Sequence, residues 1–177
     1  MCIRDRSKLV PNNKIEGIKA LGAEVRLVGK NQDEAQLEAD RLSSEEGMTY
    51  VSPFDNIDVI AGQGTLGLEI HQQIPDLNFA FVPLSGGGLI CGVAKALKSL
   101  NRKLKVIGVS MDRGAAMYES QKAGKPIFVK EEESLADALT GGIGLENKYT
   151  FQLTKQLVDE IVLVSEKEIA DGIRHAY

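Results

Sequence analysis

The chain has 177 residues, enough for one full domain or parts of two, and 43% of them are hydrophobic, enough for a packed core. Its net charge of −4, with Lys and Arg scattered, excludes a nucleic-acid-binding stripe or a basic membrane-surface helix. No apolar run approaches the roughly 20 residues of a membrane span, and with no Trp and 5% aromatics the core is aliphatic.

In chain order, Met1 to Ser7 (MCIRDRS) matches neither a signal nor a transit peptide and has no periodicity. Residues 1–9 are therefore read as a non-native scar and set aside from the fold. Pro11 suits the first turn of a helix carrying Ile15, Ile18 and Leu21, which Gly22 ends. Glu24 to Val28 alternates as a strand. Asn31 and Glu34 form a capping-box pattern for a helix with Ala35, Ala39 and Leu42 that stops at Gly47. Thr49 to Val51 reads as a brief strand before Pro53.

From Asp58 the pattern is helical, with Ile60, Leu66, Ile70 and Ile74 available for packing, yet Gly62, Gly64 and Gly67 interrupt it. Each glycine costs about 1 kcal/mol relative to alanine in a helix. Close approach of another backbone or of a cofactor would offset that cost.

Phe79 to Leu100 organises the chain: an apolar run closed by Pro83, then Ser85-Gly86-Gly87-Gly88, then a helix with Val93, Ala94, Leu97 and Leu100 on one face. Consecutive glycines let the backbone turn its N–H groups inward, and the following helix points its positive end at the same place. The turn is either a ligand-free strand-to-helix connection or an anion cradle, most often for a phosphate.

Lys105 to Ser110 is another buried strand, Gly114 to Ala123 a helix, and Pro126 to Val129 a short extended stretch. Ser134 and Asp137 bracket a helical turn before a second glycine cluster at Gly141, Gly142 and Gly144. Lys148 to Val158 is a helix, Ile161 to Val164 a strand, and Ser165 with Glu168 caps a final helix carrying Ile169 and Ile173. Helices and strands alternate, so the fold class is α/β with an open, mostly parallel twisted sheet flanked by helices. Ligands in such sheets sit beyond the carboxyl ends of the strands, where the SGGG turn lies.

The glycine turn fits neither a dinucleotide fingerprint nor a Walker A loop, and no nucleophile elbow is present. His71 and His175 are isolated, and Glu131 to Glu133 is a solvated charge run. Lys95 and Lys98 read as solvated charges as well. Cys91 on its apolar helix is an inert core thiol, and Cys2 and Cys91 make neither a disulfide framework nor a zinc site, so the default location is cytoplasmic. A compact terminal phosphate held by backbone amides remains, and pyridoxal 5'-phosphate fits that description.

The run VPLSGGGLICGVAKALK resembles the tetraglycine phosphate loop of the threonine dehydratase and serine racemase family, within the fold type II (tryptophan synthase β-like) pyridoxal-phosphate enzymes. PFDNIDVIAGQGTLGLEI, IEGIKALGAEVRLVG and LVDEIVLVSEKEIADGIRHAY resemble the family's neighbouring segments, in the family's order. RGAAMYES and GGIGLENKYTF look most like the hydroxyectoine utilisation dehydratases. The resemblance implies an incomplete chain: residues 10–53 as part of a small domain and 54–177 as part of the large cofactor domain. It implies a lyase that turns a hydroxylated amino acid into a 2-oxo acid and ammonia, working as a homo-oligomer when complete. A racemase on the same scaffold and a non-catalytic phosphate-binding module are the alternatives.

By the same resemblance, Ser85, Gly86, Gly87, Gly88 and Leu89 match the phosphate loop, with Ser85 where the family usually has glycine. Ala136 to Leu139 matches a segment beside the cofactor ring, with Ala138 at its usual glycine. Ser110 and Ala116 stand at the positions of a racemase cation site, so no metal site is expected. The family's S-x-K lysine motif and S-G-N loop belong upstream of the glycine loop, and neither occurs there. No residue of this chain is therefore nominated as catalytic.

Overall fold

A computed structural model describes residues 3–6, 11–29 and 32–176. The chain divides into two compact units, 1–51 and 52–177.

In the first unit, strand β1 (Ile3–Arg6) pairs in parallel with β2 (Glu24–Leu27). A strand at 3–6 departs from the sequence reading, which set this stretch aside. Four residues are too few for a periodicity to show, and the pairing partner lies some twenty residues away. Helix α1 (Asn12–Ala20) starts after Pro11, buries Ile15 and gives way to Gly22 in the left-handed region at φ +80°. Leu21 is 88% exposed rather than on the packed face, because it falls at the helix's C-cap. Helix α2 (Gln32–Glu46) buries Ala35, Ala39 and Leu42, as their spacing predicts. It ends at Gly47, φ +65°. The expected cap at Asn31 lies outside the described residues. Thr49 to Val51 forms no strand; the Tyr50 hydroxyl instead bonds the Gln36 side chain.

The second unit holds the larger core. Helix α3 (Ile57–Gln73) is capped by the Asn56 side chain, which accepts from the N–H groups of Asp58 and Val59 at 2.8 and 3.3 Å. Strand β3 (Phe79–Pro83) leads to helix α4 (Gly88–Leu100), then to strand β4 (Lys105–Met111) and helix α5 (Ala116–Ala123). Helix α6 (Thr150–Leu157), strand β5 (Glu160–Val164) and helix α7 (Glu166–Ala176) follow. The three strands form a parallel sheet in the order β3-β4-β5. Parallel neighbours joined through helices are the α/β arrangement that the alternation predicts. Among the described residues β3 pairs on one side only, with β4, and it is the Leu84 N–H that donates to β4, so Pro83 costs no bond of that ladder.

Burial refines the predicted faces. Val93, Ala94 and Leu97 of α4 are buried, but Leu100 at the helix end is 51% exposed. Strand β3 is buried on one face only: Ala80 and Val82 join the core while Phe79 and Phe81 are 56% and 66% exposed. The stretches 126–129 and 134–137 form neither strand nor helix, though the Leu139 N–H to Ala136 carbonyl bond makes a turn. The Ser165 and Glu168 capping box is present: the Glu168 N–H donates to Ser165 Oγ at 3.3 Å and the Ser165 N–H donates to Glu168 Oε2 at 2.8 Å.

The glycines of α3 have a packing reason. A Cβ on Gly67 would lie 2.8 Å from Ala96 Cβ and 2.9 Å from the Val93 carbonyl. A Cβ on Gly92 of α4 would collide with the Ile60 carbonyl and lie 2.7 Å from Gly64 N. Of the two readings of these glycines, the backbone approach holds at Gly64 and Gly67; Gly62 faces open space. Leu66 and Ile74 are 43% and 53% exposed, because the glycines and Ile60 form the packed stripe instead.

Lys98 is not a free solvated charge. Its Nζ lies 2.6 Å from Asp159 Oδ2, Lys105 Nζ lies 3.0 Å from Oδ1, and the Val106 N–H donates to Oδ2 at 2.8 Å. Burial alone would raise the Asp159 carboxyl, but these three donors outweigh it and hold it near about 2, below its ordinary 3.8.

Two outcomes follow for unfolding experiments. Gly92→Ala should destabilise by about 3 kcal/mol or more through overpacking, whereas Gly62→Ala should stabilise by ~0.5–1 kcal/mol. Equal effects in denaturant titrations would contradict the helix contact. For Asp159, whose folded pKa is depressed, the stabilisation is fully present above about pH 4 and is lost as pH falls toward 2. After solvent screening it amounts to about 1 kcal/mol. Asp159→Asn should therefore lower stability at neutral pH and flatten the acid limb in that window; an unchanged pH profile would remove the assignment.

Candidate functional site

The site begins where β3 ends. The Leu84 N–H extends the ladder to the Val109 carbonyl at 2.8 Å, and the Leu84 side chain is 1% exposed. Ser85 is half-buried and Gly86, Gly87 and Gly88 are buried. Gly87 adopts φ +92° as the N-cap of α4, a conformation open to glycine at no steric cost. The first helical bond runs from the Cys91 N–H to the Gly87 carbonyl at 2.9 Å. The amides of Gly88, Leu89 and Ile90 precede it and have no intrahelical partner. The five residues read from the sequence as a phosphate loop, Ser85 to Leu89, thus form one turn around the positive end of a 13-residue helix.

Two walls confine this turn. In front, Phe54 leaves no space for a side chain: a Cβ on Gly86 would collide with its ring, and one on Gly88 would lie 2.8 Å from its Cα. Behind, a Cβ on Gly87 would lie 3.0 Å from Thr150 Cβ and 3.1 Å from both Met117 Cε and Thr154 Oγ1. Thr150 and Thr154 are 0% and 1% exposed. Cys91 Sγ lies 3.6 Å from the Thr150 carbonyl and 3.5 Å from Thr154 Oγ1.

A single carboxylate joins the walls. Asp55 Oδ1 accepts from the N–H groups of Tyr149 and Thr150 at 2.8 and 2.9 Å, and Oδ2 accepts from Lys148 N–H at 2.6 Å. The N-terminus of α6 has no cap from its own Tyr149, so Asp55, more than ninety residues away, supplies one. Ser52 Oγ in turn accepts from the Asp55 N–H at 3.0 Å. Asn147 completes the corner, donating to Thr150 Oγ1 at 2.8 Å and accepting from Phe151 N–H at 2.8 Å. Sequence reasoning marked the PFDN segment by resemblance but gave Phe54 and Asp55 no part. The visible signal was a cap residue, Asn56, preceded by a carboxylate with no local use.

The segment Ala136 to Leu139 is held through Ser134. Glu166 accepts from Ser134 Oγ at 2.5 Å and from the Leu135 N–H at 3.0 Å, and Ala136 N–H donates to Ser134 Oγ at 3.0 Å. Those two donors, Ser134 foremost, pull the Glu166 carboxyl below its ordinary range. Among the described residues no group of three or more His, Cys, Asp or Glu side chains gathers to hold a metal. No helix among them is long and apolar enough to cross a membrane.

A buried glycine turn between a parallel strand and a helix N-terminus defines an α/β domain equipped to hold an anion. Residues 6–177 match the model of the pyridoxal-phosphate dependent enzyme family, and the chain belongs to that family. It is 56% identical over 171 residues to a putative threonine dehydratase of Sinorhizobium fredii, covering 97% of this chain and 52% of that relative. Among solved structures it resembles the processed form of threonine deaminase isoform 2 from Solanum lycopersicum, with 38% identity and TM-score 0.83 over 97% of this chain and 49% of that one. Maize serine racemase is similar at 29% identity and TM-score 0.84, over 97% of this chain and 51% of that one. The chain spans about half the length of these relatives.

Cys91 offers a chemical check of the packing behind the turn. Burial pushes its thiol up to about 11, the Thr154 contact opposes this, and the Asp55 charge adds to it. At pH 8 the folded protein should leave Cys91 unalkylated by iodoacetamide, with labelling appearing on denaturation. Prompt labelling at Cys91 by peptide mass spectrometry would contradict a closed back wall.

Proposed function

We propose that residues 85–89 hold the phosphate of pyridoxal 5'-phosphate in a threonine dehydratase-like ammonia-lyase. The observation that carries this reading is the buried left-handed turn at Gly87, with helix amides ahead of the first intrahelical bond, in a chain of this family. The residues fit the group. The amides of Gly86 to Leu89 would donate to the phosphate oxygens, the Ser85 hydroxyl would add a donor, and the α4 dipole would favour the charge. When bound, pyridoxal phosphate supplies an electron sink for the charge left at an amino acid's α-carbon.

The chain's own residues bind and orient. The turn fixes one end of the cofactor, and the segment from Ala136 to Leu139, tied down through Ser134 and Glu166, would flank its ring. Phe54 excludes water from the front of the turn, as its contact with Gly86 and Gly88 supports. Residues 10–53 would contribute to a small domain and 54–177 to a large cofactor-carrying one. The whole protein would act on a small hydroxylated amino acid, as a homo-oligomer in the cytoplasm, without nucleic acid or membrane. The stretches RGAAMYES and GGIGLENKYTF support a place in hydroxyectoine utilisation, a catabolic role.

The test uses the full-length protein with pyridoxal phosphate and L-threonine or L-serine. Release of ammonia with a 2-oxo acid is expected. Accumulation of the D-amino acid instead would favour the racemase, and retention of phosphate with neither product would favour the binding module. Gly87→Ala, which puts a side chain at φ +92° against Thr150, should weaken cofactor binding by about tenfold or more. Unchanged affinity would remove the turn from the site.

A further inference from the structure

We propose that Asp55 is a positioning residue that sets the shape of the glycine turn toward a phosphate; this rests on the reading of that turn as the phosphate holder. Asp55 touches none of the turn's residues through its carboxylate. It acts on both walls at once. Through its backbone it carries Phe54, whose ring and Cα leave Gly86 and Gly88 no room to shift forward. Through its carboxylate it draws in the N–H groups of Lys148, Tyr149 and Thr150 at 2.6, 2.8 and 2.9 Å. Those bonds seat Thr150 and Thr154, the atoms that a side chain on Gly87 would meet at 3.0 and 3.1 Å.

The chemistry favours a carboxylate over any neutral cap. Three backbone donors converge on two oxygens, so each oxygen is used and one takes a pair. A negative charge at a helix N-terminus is also favoured by the dipole. Asparagine could accept through one oxygen only, and alanine through none. The shape of the turn matters because phosphate oxygens require several amides converging on one point; a shift of the back wall would let Gly87 relax and spread them. The front wall is tied to the same carboxylate only through the chain, since Phe54 and Asp55 are consecutive, while Ser52 Oγ accepts from the Asp55 N–H at 3.0 Å.

The experiment compares full-length wild type, Asp55→Asn and Asp55→Ala by titration with pyridoxal phosphate and, separately, with pyridoxal, which lacks the phosphate. Hydrogen exchange of cofactor-free protein is followed at 85–89 and 147–151. For D55A, at least a tenfold loss of pyridoxal phosphate affinity is expected, with pyridoxal affinity changed less than twofold and faster exchange in both segments. D55N should fall between. The proposal is overturned if both variants keep pyridoxal phosphate affinity within twofold of wild type, or if both ligands weaken equally. Should D55A not fold, D55N decides alone; a D55N that cannot fold would make Asp55 a fold residue only and overturn the proposal too. If wild type itself shows no preference for the phosphorylated ligand, the phosphate reading fails, and that outcome is distinct from a failure at Asp55.

Discussion

The second unit depends on how closely α3 can approach α4. Gly92 lies where any side chain would strike the Ile60 carbonyl and the Gly64 nitrogen, and Gly67 faces Val93 and Ala96 in the same manner. Backbone meets backbone between Gly92 and the helical turn at 60–64, and Gly67 meets the Val93 backbone beside the Ala96 methyl. That contact seats a helix whose buried stripe of Ile90, Val93, Ala94 and Leu97 closes over Ala80, Val82 and Val106 of the sheet. The helical propensity surrendered by the glycines is small against the apolar surface that the approach removes from water.

The position of α4 decides where its N-terminus points, and three consecutive residues ahead of α3 then act on it. Phe54 lies against the turn, Asp55 caps α6, and Asn56 caps α3. Each serves an orphaned end or a bare surface that the backbone geometry creates. Two helices and the glycine turn are thereby referred to one short segment. The close packing around the turn is collective: Phe54, Met117, Thr150 and Thr154 each meet one or more of its glycines.

The glycines of the turn carry two separable constraints. Their lack of side chains is demanded by protein neighbours: Phe54 at Gly86 and Gly88, Thr150, Thr154 and Met117 at Gly87. Their amides are what a phosphate would use. Packing this tight removes space that glycine chains ordinarily have, so a flexible residue type is confined here by its neighbours. The chain's kinship with pyridoxal-phosphate enzymes gives that arrangement its chemical sense.

The sequence by itself determined the local elements and the family. Periodicity placed α2 and α4, the Ser165 capping box placed α7, and the SGGG motif with its flanks marked the glycine turn and the family, because these signals are written within a few residues of one another. Exposure was less legible: Phe79, Phe81, Leu66 and Leu100 are as apolar as their buried neighbours, and only the packing says which face is covered. The strand at 3–6 was invisible because it exists through its pairing with 24–27. Lys98 could not be distinguished from Lys95 until β5 brought Asp159 to it. The partners of Asp55 were equally unreadable, although its place before the Asn56 cap was visible, since its three donors lie more than ninety residues onward. Only the tertiary structure could decide these, because a carboxylate, a lysine or an apolar side chain acquires its role from what the fold sets beside it.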